Sequence, residues 1–359
     1  MAENKTKLGL AVKYRPQSWS EVIEQDAIKK ILAGELKTGN LKRCLLFTGP
    51  AGCGKTTNAR IFAHEIEENT SNIIEINCAD HTGVDDVRTL VLDASVSKPL
   101  YGTYKIFVLD EVHMLTTQSQ NALLKILEEP PAHCVYILCT TDPQKILGTI
   151  LSRAFRYDFQ LISHNGIVGR LQYILEQEGY TCVVDGTESE AKSFTLSALG
   201  LIAQKSQGHM RDAITELDKI LSFTEHVTPQ DVERVLGVTS YEILFTLLDC
   251  ILAKDQARLL SGIDYIVKAG MDLKLFCKNF LAFVLDINKY MILVESKAND
   301  VMSYLSIPYT YEMRLRNYGS VQKEGIKMLL RTLVELNSGL RWETNVRPVL
   351  ETQLLFTVL

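Results

Sequence analysis

Nine consecutive residues, Gly49, Pro50, Ala51, Gly52, Cys53, Gly54, Lys55, Thr56 and Thr57, combine three glycines, one lysine and two neighbouring hydroxyls. Their spacing, G-x-x-x-x-G-K-T, is that of a loop that cradles phosphate oxygens. Glycine lets backbone N–H groups converge where a side chain would block them, and a helix starting near Lys55 points its positive end at the same charge. Lys55 is expected to reach the β- and γ-phosphates of a nucleotide, and the Thr56 hydroxyl to ligate Mg2+. A second acidic element follows in IFVLDEVH at 106–113, where an apolar strand delivers Asp110 and Glu111 at its carboxyl end. Asp110 can hold hydrated Mg2+, and Glu111 can polarise a water for attack on the γ-phosphorus. Such a pair alone often only caps a helix. Its coincidence with the loop is what points to hydrolysis.

Three further positions could complete such a site. The stretch CTTDPQK at 139–145 ends another apolar run, and Thr141 or Thr140 there could hydrogen-bond the γ-phosphate or the attacking water. A helix cap before Pro143 is the alternative for either threonine. Arg153, in LSRAFRYDF, has no acidic neighbour in sequence; at a subunit edge an arginine can reach a neighbour's γ-phosphate, and a solvent-facing or salt-bridged arginine is the plainer alternative. Arg211, in GHMRDAI, opens a helical segment that could fold over the phosphates in cis, although Asp212 could equally pair with it.

These side chains need a scaffold, and the surrounding pattern supplies one. RCLLFTG (43–49), IIEINC (73–78), YKIFVLDE (104–111) and CVYILCTT (134–141) read as buried strands of a parallel sheet. Between them, 55–68, 83–95 and 117–130 have helical spacing; in the last, Ala122, Leu123, Ile126 and Leu127 form one apolar stripe, stopped by Pro130 and Pro131. The alternation predicts a three-layer α/β nucleotide-binding domain over 1–160. Beyond Phe159 the strand signal fades. Helical periods at 163–178, 189–206, 209–223 and 228–236 predict a small helical lid over 161–240. An all-helical domain is expected over 241–359, with long periodic segments at 241–269, 272–296 and 321–337 and a Tyr-rich, weakly periodic stretch at 300–320.

Composition narrows the field. The 359 residues are 46% hydrophobic and 23% charged, which is a globular balance. No apolar run reaches the ~18 residues of a membrane span, and the amino terminus lacks a signal-peptide pattern. The eight cysteines include no C-x-x-C pair, so they are expected as free thiols in a reducing compartment, without a zinc site. The formal net charge is -5. No region carries the basic excess that would identify nucleic acid as the ligand unaided.

The blocks KYRPQSWSEVIEQ (13–25), GPAGCGKTTNARIFA (49–63), KIFVLDEVHML (105–115), SQNALLKILEEPP (119–131), ILCTTDPQKI (137–146), ILSRAFRYDF (150–159), GHMRDAITELD (208–218) and ETNVRPVLETQLL (343–355) together resemble the ATP-hydrolysing AAA+ subunits of sliding-clamp loaders, most closely the bacterial DNA polymerase III gamma/tau family. The resemblance implies an AAA+ α/β domain, a helical lid and a helical collar that builds a ring-like pentamer. It implies ATP and Mg2+ as ligands, and other loader subunits, a sliding clamp and primer-template DNA as partners. Lys55, Thr56, Asp110 and Glu111 resemble the phosphate, metal and water-activating positions, and Thr141 the first sensor. Arg153 resembles the finger that enters the adjacent subunit's site, and Arg211 the second sensor. Tyr14, Arg15, Pro16, Val22 and Ile23 match the adenine border. Candidate DNA contacts are Thr82, Gly83 and Lys98, for which a plain capping turn and a solvent lysine are the alternatives.

The sequence also departs from the family. Residues 64–73 replace a four-cysteine zinc module with a cysteine-free turn, Glu24 stands where glycine is common, and Ser152, Arg153, Ala154 replace Ser-Arg-Cys. A compact form without C-terminal tails is implied, suited to the cytoplasm of a bacterium or to a phage or plasmid replication system. Two other readings are an AAA+ ATPase that remodels branched or forked DNA, and a nucleotide-sensing scaffold that does not hydrolyse. Intact Glu111 and Arg153 argue against the scaffold.

Overall fold

The computed structural model describes residues 8–184, 192–236, 240–298, 301–307, 311–318, 323–340, 343 and 345–358. The chain forms two compact units, Met1–Glu178 with Lys205–Asp218, and Gly179–Gln204 with Lys219–Leu359. Residues 161–240 are therefore divided between the units.

In the first unit, β1 (Cys44–Thr48), β2 (Ile73–Asn77), β3 (Lys105–Asp110), β4 (Cys134–Thr140) and β5 (Phe155–Asp158) form a five-stranded sheet in the order β2-β3-β4-β1-β5. All pairings are parallel. Every residue of β1 and β4 is buried, which is why these strands read as continuous apolar runs rather than as alternation. Alternate side chains serve opposite layers. Leu45, Phe47, Ile106, Val108, Val135 and Ile137 pack with Leu32, Ala59 and Phe62 of the helices Asp26–Thr38 and Lys55–Ile66. Leu46, Phe107, Leu109, Tyr136 and Leu138 pack with Leu123 and Leu127 of the helix Thr117–Glu128. Each fully buried Val, Leu, Ile or Phe among them contributes about 1.5–3 kcal/mol from removal of apolar surface from water.

Because the strands are parallel, their carboxyl ends share one edge of the sheet. The order places the end of β4 between those of β1 and β3, the position where ligands bind in open α/β sheets. The four expected strands are present. The fifth, β5, was not expected as a strand: Tyr157 is its one buried residue, while Phe155 is half exposed and Arg156 and Asp158 face solvent. Pairing with β1 holds it, not an apolar run. The segment 83–95 is helical as expected but irregular, with α-helix at Val84–Val87 and Ala94–Val96 and π-helix between, over Arg88–Asp93.

The second unit contains a second parallel sheet, β6 (Thr181–Val183), β7 (Ser193–Thr195) and β8 (His226–Val227), in the order β6-β7-β8. The region expected as a helical lid carries these strands beside its helices; strands of two or three residues carry too few side chains for a period to emerge. The expected segment 189–206 resolves into β7 and the helix Leu196–Lys205, its first three residues lying outside those described.

The remainder of this unit is helical, as expected. Phe245, Leu248, Ile263, Phe280, Val284, Leu329, Leu333, Leu350 and Leu354 meet in one apolar core. The helix Leu273–Glu295 buries Phe276, Phe280, Phe283, Ile287 and Tyr290 at helical spacing. The segment 241–269 is two helices, Tyr241–Leu252 and Gln256–Lys268. Lys254 turns left-handed at φ +56°, and the Asp255 side chain caps the second helix by accepting from Arg258 N–H at 3.0 Å. These two helices approach so closely at Gly262 that a Cβ there would lie 2.6 Å from Leu247 Cδ2. Parts of the 300–320 and 321–337 stretches lie outside the described residues. No single described helix is long and apolar enough to cross a membrane.

Candidate active site at the carboxyl edge of the sheet

β1 ends at Thr48, whose hydroxyl donates to Asp158 at the end of β5. Gly49 then turns the chain at φ +145°, where a Cβ would lie 2.4 Å from the Phe159 carbonyl oxygen. Any other residue would have to displace backbone. Gly54, at φ +98°, leads into the helix Lys55–Ile66, so the helix's first N–H groups face the loop with no side-chain cap occupying them. Lys55 is only 5% exposed, and its ammonium donates to the carbonyl oxygens of Gly49 at 2.9 Å and Pro50 at 2.7 Å. The Cys53 thiol also donates to Pro50 O, at 3.0 Å, and burial raises its pKa so that the S–H is retained. Neutral carbonyls are the weaker acceptors for an ammonium; phosphate oxygens form stronger, charge-assisted bonds.

Across the edge, Thr56 Oγ1 donates to Asp110 Oδ2 at 2.8 Å. The other Asp110 oxygen, Oδ1, accepts from Glu111 N–H at 3.0 Å. A hydroxyl and a carboxylate this close are hard oxygen donors that fit Mg2+, which keeps several waters and takes one or two protein ligands. Glu111 sits at φ +49°, a left-handed conformation that costs about 1–3 kcal/mol outside glycine. That turn ends the strand and sends the carboxylate along the edge to the end of β4. There Thr141 Oγ1 donates to Glu111 Oε2 at 3.2 Å, and His113 Nδ1 lies 3.3 Å from the same oxygen.

The two threonines are thereby distinguished. Thr140 is fully buried, accepts from Asp142 N–H at 3.0 Å and lies 3.1 Å from His113 Nδ1. Thr141 turns outward to Glu111. Neither Asp110 nor Glu111 caps the following helix Thr117–Glu128; the Thr116 side chain does so, accepting from Ser119 N–H at 3.1 Å.

The two arginines differ in place. The start of the helix Met210–Leu221 lies against the phosphate loop: a Cβ on Gly52 would be 3.5 Å from Arg211 Cβ and N and from His209 Cα. His209 Nδ1 lies 2.7 Å from Ala51 O. Arg153 follows the short helix Gly148–Leu151. It donates to Thr149 O at 2.6 Å and pairs with Glu128, a partner that sequence proximity could not reveal.

Residues 65–163 match the family described as DNA polymerase III, delta subunit, and residues 227–316 match domain III of DNA polymerase III subunits gamma and tau. The chain is 34% identical to the Mycobacterium tuberculosis DNA polymerase III subunit gamma/tau over 299 residues, covering 76% of this chain and 50% of that protein. It is 32% identical to the DNA polymerase III subunit gamma of Buchnera aphidicola over 336 residues, covering 87% of each. The chain belongs to the DNA polymerase III gamma/tau family. A solved Thermotoga maritima RuvB Holliday junction branch migration motor has the same fold over 66% of this chain and 79% of its own, with a TM-score of 0.50 at 18% identity. The gamma/tau-family chain spans about half the length of the Mycobacterium relative.

In this gamma/tau chain the residues expected to border adenine are buried or partly buried. Arg170, 7% exposed, donates to Tyr14 O at 2.9 Å, and the Tyr14 hydroxyl donates to Glu178 at 2.6 Å. Val22 is buried, with Ile23, Arg15 and Pro16 partly so. Glu24 takes φ +56°, which accounts for the glycine common there. Its carboxylate accepts from Ser163 N–H at 3.1 Å at the start of the helix His164–Gln177. Thr82 and Gly83 lie elsewhere, leading into Val84–Val87; Thr82 O accepts from Ser119 Oγ at 2.8 Å. Lys98 is exposed. Sequence reading missed His113 and Glu128; the first stands two residues after Glu111 in DEVH, a spacing that signals nothing without the turn at Glu111.

Proposed function

We propose that the chain is an ATP-hydrolysing motor subunit of a clamp loader, which opens a sliding clamp and places it on primer-template DNA. The observation that carries this reading is the single edge at which Thr56 meets Asp110 and Thr141 meets Glu111, beside a lysine buried in a phosphate loop, in a chain of the gamma/tau family. ATP is the substrate. The residues from Gly49 to Thr57 wrap its phosphates, Lys55 exchanges loop carbonyls for phosphate oxygens, and Tyr14, Arg15, Pro16, Val22 and Ile23 border the base. Thr56 and Asp110 hold Mg2+, which supplies charge neutralisation at the β- and γ-phosphates.

Glu111 orients and deprotonates the attacking water, and Thr141 relays the state of the γ-phosphate to that carboxylate. Arg211 closes over the phosphates in cis. Arg153 leaves Glu128 to enter a neighbour's site, where it offsets charge developing in the transition state. An exposed pair of this kind is worth only about 0–1 kcal/mol, so releasing it costs little. The chain acts in the bacterial cytoplasm as part of a pentamer, with an α/β domain over 1–160, a lid over 161–240 and a collar over 241–359. Thr82, Gly83 and Lys98 face the DNA backbone, which is read by charge and shape.

The test is the steady-state ATPase rate of the chain with its loader partners, alone, with primed DNA, and with primed DNA plus a sliding clamp. A rate that rises only when both ligands are present is expected. A full rate from the isolated chain, unaffected by either ligand, overturns the reading.

A further inference from the structure

His113 has no assigned part in the reaction, yet it lies at the centre of the edge. Its side chain is only 10% exposed, and Nδ1 stands 3.3 Å from Glu111 Oε2 and 3.1 Å from Thr140 Oγ1. Thr140 is itself fully buried and accepts from Asp142 N–H, so the threonine is a fixed point at the end of β4. The imidazole bridges that fixed point to a carboxylate whose own backbone is held left-handed. Both side-chain partners of Glu111, Thr141 and His113, meet the same oxygen, Oε2. Among the described residues no hydrogen bond reaches Oε1.

We propose that His113 is a positioning residue that anchors Glu111 through Oε2, so that Oε1 is presented to the attacking water. The inference rests on the reading of Glu111 as the general base. The approach of Nδ1 to Oε2 is a polar contact at 3.3 Å, the ring's hydrogen bond being the one with Thr140 Oγ1 at 3.1 Å, and two neighbours at one oxygen leave the carboxylate fewer rotations than one would. Thr141 cannot hold the orientation alone if its hydroxyl turns to the γ-phosphate; His113, backed by Thr140 rather than by the nucleotide, keeps its hold throughout the cycle. General-base efficiency depends first on this geometry, and a small misplacement of a reacting group costs turnover rather than binding.

The experiment uses the full chain in its clamp- and DNA-stimulated assembly and measures kcat and KM for Mg-ATP. His113→Ala is expected to lower kcat by about tenfold while KM stays within about twofold. His113→Asn, whose amide N–H stands where Nδ1 stood, is expected to recover most of the loss, and His113→Gln, with its amide one carbon further out, to recover little. In a Glu111→Gln background His113→Ala is expected to add nothing. Thermal unfolding of each variant separates lost position from lost fold, and the Asn and Gln variants carry the comparison should the Ala variant not fold. Unchanged kcat in His113→Ala, equal activity of the Asn and Gln variants, or a full additional loss in the Glu111→Gln background overturns the inference. Wild-type turnover in Glu111→Gln would remove the base reading and this inference with it, whereas a crippled Glu111→Gln beside an unaffected His113→Ala removes the inference alone.

Discussion

The carboxyl edge of the five-stranded sheet and the helical core of the second unit are built on opposite principles. At the edge, side chains are polar, the backbone is held left-handed at Glu111, and the hydrogen bonds run between groups that chemistry would reuse. In the core, Phe245, Phe280, Leu329 and Leu354 are fully buried and carry no titratable group. The difference teaches where each kind of free energy is kept. Altering the edge should change turnover with little effect on folding, and altering the core should do the reverse. Strain of a few kcal/mol at the edge is tolerable because the fully buried strands beneath it stabilise the unit by more.

The sharpest way to break this contrast is Arg153→Ala, which should reduce assembly-stimulated hydrolysis by about a thousandfold while ATP affinity of the single chain, read by nucleotide fluorescence, is unchanged. Equal loss in the isolated chain would place the arginine in its own site instead. Glu111→Gln should lower steady-state turnover by at least about a hundredfold and retain ATP binding; undiminished hydrolysis would remove the carboxylate from the chemistry. Phe280→Ala tests the other side: it should cost about 3–5 kcal/mol in urea unfolding of the second unit and leave the nucleotide affinity of the first as it was.

The smallest expected effect joins the two principles at one residue pair. The Thr48 hydroxyl, then Arg156, hold the Asp158 carboxyl below its usual range. A lowered carboxylate value means stability that is present above the unfolded-state pKa near 3.9 and is lost as pH falls through the lower folded value. Because Asp158 is 63% exposed, solvent screening keeps the contribution under about 0.5 kcal/mol. Thr48→Val should therefore be slightly less stable than the parent at pH 7, and urea midpoints of the two should converge towards pH 2. A gap that widened on acidification would contradict the assignment.

Much of the edge was legible because its parts are local in sequence. A glycine loop before a helix, and two acids ending an apolar run, each declare their geometry within about ten residues. β1, β3 and β4 were legible for the same reason, since burial on both faces makes them continuous apolar runs. β5 and the three short strands of the second sheet were not. With one buried residue in β5 and two or three residues in each of β6, β7 and β8, backbone pairing with a neighbour does what a side-chain pattern does elsewhere. The break at Lys254 was hidden too, because the apolar period continues across it while the backbone does not.

The amino-acid sequence by itself singled out the residues proposed to meet phosphate, metal and water, and determined that a parallel α/β sheet carries them, because loop chemistry and strand burial are written in neighbouring residues. Only the tertiary structure decided which threonine meets Glu111, that His113 shares its oxygen, and that Glu128 holds Arg153. The first and the last join residues 30 and 25 positions apart, and the second, between residues two apart, exists only because the backbone turns left-handed at Glu111. Strand order and the left-handed turn at Glu111 set such distances, and neither leaves a periodic trace in the chain.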